Sequence, residues 1–187
     1  MERKRENVWN VPNGLTMLRM ALLPVYWMLF LHGRRYWALG VFIAASLTDL
    51  LDGHIARKHH LITNFGKLMD PLADKLMVLS VMLSLALSGL APWPALLVLL
   101  LKELTMVAGG ALLLKRHIVV ASKPIGKAAQ ATVVASLILC YFGDWFWSKG
   151  FPLHLIVLWC AVALTLSALA YYAANAVRMW NQAAKEN

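Results

Sequence analysis

D-L-L-D-G-H-I-A-R-K-H-H-L-I-T-N-F-G-K-L-M-D-P-L-A-D, residues 49 to 74, is the stretch on which the reading of this chain turns. The 187 residues include nine acidic ones, and four of these, Asp49, Asp52, Asp70 and Asp74, fall inside it on segments flanked by apolar residues. An ionised carboxylate at membrane depth or in an apolar core loses several kcal/mol of hydration unless a cation replaces the water. Four in one stretch point to a bound metal.

On a helix, Asp49 and Asp52 are three residues apart and Asp70 and Asp74 four apart, so each pair projects from one face. Two such pairs on neighbouring helices joined by a short loop can converge. Hard carboxylate oxygens suit Mg²⁺, Mn²⁺ or Ca²⁺, and the lack of a Cys/His set argues against zinc. Four carboxylates exceed what one Mg²⁺ normally takes from protein, so two ions sharing ligands fit better. Gly53 and Ala56 leave the backbone uncovered beside the first pair, where a phosphate or nucleotide can approach, and Arg57 supplies a guanidinium fork for phosphate oxygens. Two blander readings compete. Small residues also let helices pack tightly, and the aspartates can pair with Arg57, Lys67, Lys75 or Lys102 as the ion or proton pathway of a transporter.

Around this stretch the chain is strongly apolar: 60% hydrophobic residues, a mean hydropathy of +0.63, and 14% charged residues, against about 25% in soluble domains. That composition excludes an ordinary soluble domain and predicts an all-α integral membrane protein. Apolar runs near the ~20 residues needed to cross a bilayer predict a single membrane domain over residues 1–187. Its parts are a short interfacial segment (1–14), six spans (about 15–172) and a polar tail (173–187). The spans run near 15–31, 36–57, 66–87, 95–114, 128–142 and 151–172, with the aromatic 143–150 segment read as a loop at the interface. The formal charge of +9 sits mostly in loops and ends, which suits anionic lipids and gives no case for nucleic acid. Six spans put both termini on one side, with twelve basic residues there against three (Arg34, Arg35 and Lys149) opposite, so the termini and the aspartates are expected in the cytoplasm. Arg19, one turn inside the first span, either snorkels to the headgroups or meets a phosphate. Cys140 and Cys160 lie in apolar runs and read as small buried hydrophobes. No removable signal peptide is expected.

With these residues in hand, the stretch resembles the signature of the CDP-alcohol phosphatidyltransferase family, D-x2-D-G-x2-A-R-x8-G-x3-D-x3-D. Every fixed position matches: Asp49, Asp52, Gly53, Ala56, Arg57, Gly66, Asp70 and Asp74. The run P-N-G-L-T-M-L-R from Pro12 to Arg19 is similar to the opening of the family's glycerophosphate branch, and D-P-L-A-D-K from Asp70 to Lys75 is similar to that branch and to cardiolipin synthases.

The resemblance implies transfer of a phosphatidyl group from CDP-diacylglycerol to an alcohol, with release of CMP. It implies two divalent cations, Mg²⁺ or Mn²⁺, on Asp49, Asp52, Asp70 and Asp74, and Asp74 as general base. It places the donor headgroup by Gly53, Ala56, Arg57 and Gly66, with Asn13 and Thr16 of the opening run beside it, and it implies a homodimer. Enzymes of the family that take glycerol 3-phosphate usually carry an Arg-Glu pair in the fourth span and a second arginine eight residues after the first. Here these positions read Lys102-Glu103 and Gly110, which removes one phosphate fork. Arg19, Lys102, Lys115, Arg116, Lys123 and Lys127 are the acceptor-binding candidates. Glycerol 3-phosphate and phosphatidylglycerol stay open as acceptors, giving phosphatidylglycerophosphate or cardiolipin.

Overall fold

The computed structural model describes the backbone of residues 11–59, 64–114 and 123–183, and most side chains within them. Among the described residues every regular element is helical: α1 (Val11–Leu31), α2 (Arg35–His59), α3 (Asn64–Leu87), α4 (Trp93–Leu114), α5 (Pro124–Cys140), α6 (Gly143–Ser148) and α7 (Leu153–Ala183). Among the described residues three stretches are long and apolar enough to cross a membrane, Asn13–Leu31, Trp93–Gly110 and Leu153–Trp180, and Pro124–Cys140 is a shorter apolar helix.

Several boundaries differ from the sequence expectation, each for a local reason. Helix α1 starts at Val11, so residues 11–14 are helical and continuous with the first apolar run. Pro12 lies in the first turn, where its missing N–H removes no intrahelical bond. Residues 1–10 of that expected segment lie outside the described residues. The 143–150 stretch is not all loop, because Gly143–Ser148 forms a helix. Helix α7 runs 31 residues to Ala183, well past the expected end of the sixth span at residue 172. After Pro152 the chain has neither Gly nor Pro, and nothing local stops the helix when the apolar run ends.

Three helix ends share one device. Gly33, Gly89 and Gly150 have φ near +73°, +72° and +73°, the left-handed conformation that glycine takes without a Cβ penalty. At α3, the Leu90 N–H reaches the Leu85 carbonyl (2.9 Å) and the Gly89 N–H the Ala86 carbonyl (3.1 Å), closing the last turn.

The chain divides into two compact units, one through Ser84 and one from Leu85 onward. In the first, α1 packs along α2, with Ala38, Leu39, Phe42 and Ala45 of α2 buried at helical spacing. On α3, Ala73, Met77, Val78, Val81 and Met82 form the buried stripe. Two side-chain hydrogen bonds tie α1 to α3: Thr16 to Asp70, and Tyr26 to Ser84. Ser84 donates its own proton to the Val81 carbonyl (2.8 Å), which leaves Tyr26 as donor in the second bond. Both contacts advance in the same chain direction, so α1 and α3 run parallel. In the second unit α7 packs against α5, α4 and α6, with Val133, Leu137, Leu158, Ala161 and Val162 buried.

Candidate active site

The sequence stretch that opened the case is split between two helices of the first unit. Helical backbone runs through Asp49, Asp52, Gly53, Ala56 and Arg57 at the end of α2, and through Gly66, Asp70 and Asp74 at the start of α3. The expected helical spacing of both aspartate pairs therefore holds for the backbone. The side chains of Asp49, Asp52, Ala56 and Arg57, with the surroundings of Gly53 and Gly66, lie outside the described residues.

Asp70 and Asp74 are half-buried one turn apart on α3, a spacing that puts their Cβ atoms about 6 Å apart. Two carboxylates so placed repel each other, and a cation between or beside them relieves it. The Thr16 hydroxyl donates to Asp70 Oδ1. One donor on one oxygen leaves the other lone pairs of Asp70 for further partners and holds its carboxylate plane in place. The donor set fits a hard divalent cation. Among the described residues no group of three or more His, Cys, Asp or Glu comes together, since half of the aspartate set lies outside them.

The N-terminal motif meets Asp70 through Thr16. Asn13, Thr16 and Arg19 succeed one another at three-residue steps along α1 and are 3%, 1% and 2% exposed. A snorkelling arginine keeps its head in water; Arg19 is instead enclosed by protein. A polar run on the buried side of an apolar helix is expensive unless its groups are hydrogen-bonded or paired.

Apart from Arg19, the acceptor candidates lie in the second unit. Lys102 is half-buried on α4 with Nζ 2.5 Å from Oε1 of its neighbour Glu103, so its charge is already answered. It lines a cavity of about 680 Å³ between α4, α5 and α7, together with Gly109, Gly110, Gln130, Thr165 and Tyr172. Lys123 and Lys127 are exposed at the start of α5. Lys115 and Arg116 lie outside the described residues. Lys123 is the N-cap of α5 without a side-chain cap; its backbone N–H donates to Tyr172 Oη at 2.9 Å. Gly126 allows this contact, since a Cβ there would sit 2.6 Å from the Tyr172 hydroxyl.

Sequence reasoning missed Gln130, Thr165 and Tyr172. The available signal was polarity in the wrong place: an amide in the fifth apolar run and a threonine inside A-V-A-L-T-L-S-A-L.

The sequence model of the CDP-alcohol phosphatidyltransferase family matches residues 9–167. The chain belongs to that family. It is 34% identical to the Bacillus subtilis CDP-diacylglycerol--glycerol-3-phosphate 3-phosphatidyltransferase, over 90% of this chain and 96% of the relative. It is 29% identical to a probable phosphatidylglycerophosphate synthase of Mycobacterium tuberculosis, over 93% of this chain and 85% of the relative. It is also 32% identical to the CMP-forming cardiolipin synthase of Rattus norvegicus, over 89% of this chain and 61% of that longer protein. The chain is thus an integral membrane enzyme of the CDP-alcohol phosphatidyltransferase type, and its apolar helices fit that assignment.

Proposed function

We propose that this enzyme transfers the phosphatidyl group of CDP-diacylglycerol to glycerol 3-phosphate, giving phosphatidylglycerophosphate and CMP. The observation that carries the reading is the Thr16–Asp70 hydrogen bond, which joins the N-terminal motif to the aspartate stretch in one site. The Bacillus subtilis and Mycobacterium tuberculosis relatives support the same acceptor.

Asp49, Asp52, Asp70 and Asp74 would hold two divalent cations, Mg²⁺ or Mn²⁺, which when bound neutralise phosphate charge and stabilise the leaving CMP. The chain's own residues do the rest. Gly53, Ala56 and Gly66 leave room for the donor headgroup, Arg57 pairs with its phosphate oxygens, and Asn13 and Thr16 support that wall from α1. Asp74 takes the proton of the acceptor hydroxyl as its oxygen bonds to the phosphatidyl phosphorus. The bond from that phosphorus to the oxygen of CMP breaks, and CMP leaves with the electron pair. Arg19, Lys102, Lys115, Arg116, Lys123 and Lys127 supply positive charge for the acceptor phosphate. In this reading α2 and α3 also cross the bilayer, making six spans. The twelve-to-three bias of basic residues puts the site and both termini in the cytoplasm, where CMP departs. The working unit is a homodimer.

A second reading, phosphatidylglycerol as acceptor and cardiolipin as product, is favoured by Gly110, which brings no charge to a largely apolar cavity, and by the cardiolipin synthase relative. Purified protein supplied with CDP-diacylglycerol, Mg²⁺ or Mn²⁺ and each acceptor in turn separates the two by CMP release and lipid product. Release of CMP with neither acceptor refutes both.

A further inference from the structure

Between α5 and α7 the chain passes through α6, a helix of six residues. A helix that short is not stable on its own, so what seats it must come from its neighbours. The seat is a side chain that phosphatidyl transfer does not use. His154, in the first turn of α7, is 1% exposed. Phe146 of α6 stacks on its ring, with centroids 5.6 Å apart and planes 20° from parallel, and Trp147 meets it near-perpendicularly at 5.9 Å and 78°. Gly143 brings the start of α6 against the same ring: a Cβ there would stand 3.2 Å from His154 Nε2, and 3.3 Å from Leu90 of the turn between α3 and α4. Half of the positions of α6 therefore rest on one imidazole.

That imidazole is not fully satisfied. Its Nδ1 is buried and has no hydrogen-bond partner among the described residues. A neutral ring tolerates this, since one of its two nitrogens carries no proton to place. An imidazolium has N–H donors on both nitrogens, and a buried charge with a donor left unmade is far more costly than a buried neutral ring. The groups around it give little back. Asp144 of α6 attracts the ring, but it is exposed and water screens such a pair. Lys149, the C-cap of α6, has the wrong sign. Helix α5 ends at Cys140 with Tyr141 as its cap, both weak acids that carry no charge near neutral pH. The turn before α4 brings the apolar Leu90, and α4 has no titratable group before Lys102.

We propose that His154 is a pH-sensitive clasp: the neutral ring holds α6 on α7, and protonation releases it. The linkage has one sign. A ring released into water takes its proton at the ordinary histidine value, about 6.5, whereas the seated ring has no acceptor for a second N–H. Above that pH the seat is kept; below it, proton uptake favours the released form by up to about tenfold per pH unit. In the six-span reading this end of α7 lies opposite the cytoplasmic aspartates, so the pH it answers to is that outside the membrane. The clasp itself is independent of which acceptor the enzyme takes.

The test uses the full-length protein in detergent, with tryptophan emission and melting temperature recorded from about pH 8 to about pH 5, the range in which an ordinary histidine changes charge. Wild-type emission is expected to move to longer wavelength below about pH 6.5, as Trp145 and Trp147 leave the ring and its apolar surroundings, and the melting temperature to fall over the same range. His154→Phe keeps an aromatic ring to stack on and takes no proton, so both readouts should be flat with pH. A flat wild type, or a His154→Phe protein that follows the wild-type curve, overturns the proposal. The double variant Trp145→Phe, Trp147→Phe keeps His154 and removes both reporters of α6, so the emission change should vanish while the acid-dependent fall in melting temperature stays. An emission change of wild-type size in the double variant belongs to tryptophans elsewhere and overturns the release of α6, and this arm decides the matter even where His154→Phe fails to fold.

Discussion

Thr16→Val tests the contact on which the site is built. Valine keeps the shape of threonine and removes only the hydroxyl, at a position 1% exposed, so neither a cavity nor a surface change confuses the result. The lost bond runs from Thr16 to the half-buried Asp70 carboxylate. Hydrogen bonds to charged groups contribute about 1.5–3 kcal/mol. If that energy serves to hold Asp70 for its cation, kcat/KM falls about 10- to 150-fold. The loss should appear in the divalent-ion titration of CMP release, as a shift of half-saturation to higher Mg²⁺, with fold and membrane insertion kept. Thr16→Ser, which restores the donor, should recover most of the activity. A Thr16→Val enzyme with wild-type Mg²⁺ dependence and kcat/KM would show that Asp70 needs no support from α1, and the assignment of the N-terminal motif to the site would fall with it.

Three further outcomes follow from the same geometry. Asp74→Asn keeps size and removes the base, so CMP release should drop by at least about 10²-fold, the smaller end of what general bases contribute, while circular dichroism stays that of the parent; activity within tenfold of the parent would remove Asp74 from the proton transfer. Tyr172→Phe loses the hydroxyl that receives the Lys123 N–H, and Gly126→Ala pushes a Cβ into the same ring. Both disturb the contact that holds the start of α5 against α7, and each should lower the melting temperature in detergent, by about 1 kcal/mol of stability for the lost hydrogen bond. Tyr26→Phe removes the donor to Ser84 inside the first unit and should lower stability by about 1 kcal/mol, measured as a lower melting temperature in detergent.

The candidate donor site is proposed from residues alone because its chemistry demands fixed spacing. Carboxylates that share a helical face must be three or four apart, and Gly53 and Ala56 stand out only because they flank them. The meeting of Thr16 with Asp70 could not be read: fifty-four residues separate them, and no local pattern encodes which helix faces which. The same holds for the cavity, whose wall draws on α4, α5 and α7. Boundaries failed where hydropathy was taken as a proxy for helix. Residues 173–183 are more polar than the run before them, yet alanine, methionine and glutamine propagate a helix well, and α7 continues through them. Helix α6 is too short for any periodicity to show. Pro12 and Gly14 look like breakers in isolation, but in a first turn the proline has nothing to break.

The two bonds between α1 and α3 act as a pair of pins. Thr16 and Tyr26 are ten residues apart on α1, about 15 Å along its axis. A rod held at one point can still pivot and slide; held at two, it can do neither without breaking a bond. The far pin, remote from any substrate, therefore shares in fixing the height and rotation at which Thr16 meets Asp70. Precision at Asp70 is borrowed from the opposite end of the helix, and wear at Tyr26 would be felt there as a loosened hold on its carboxylate.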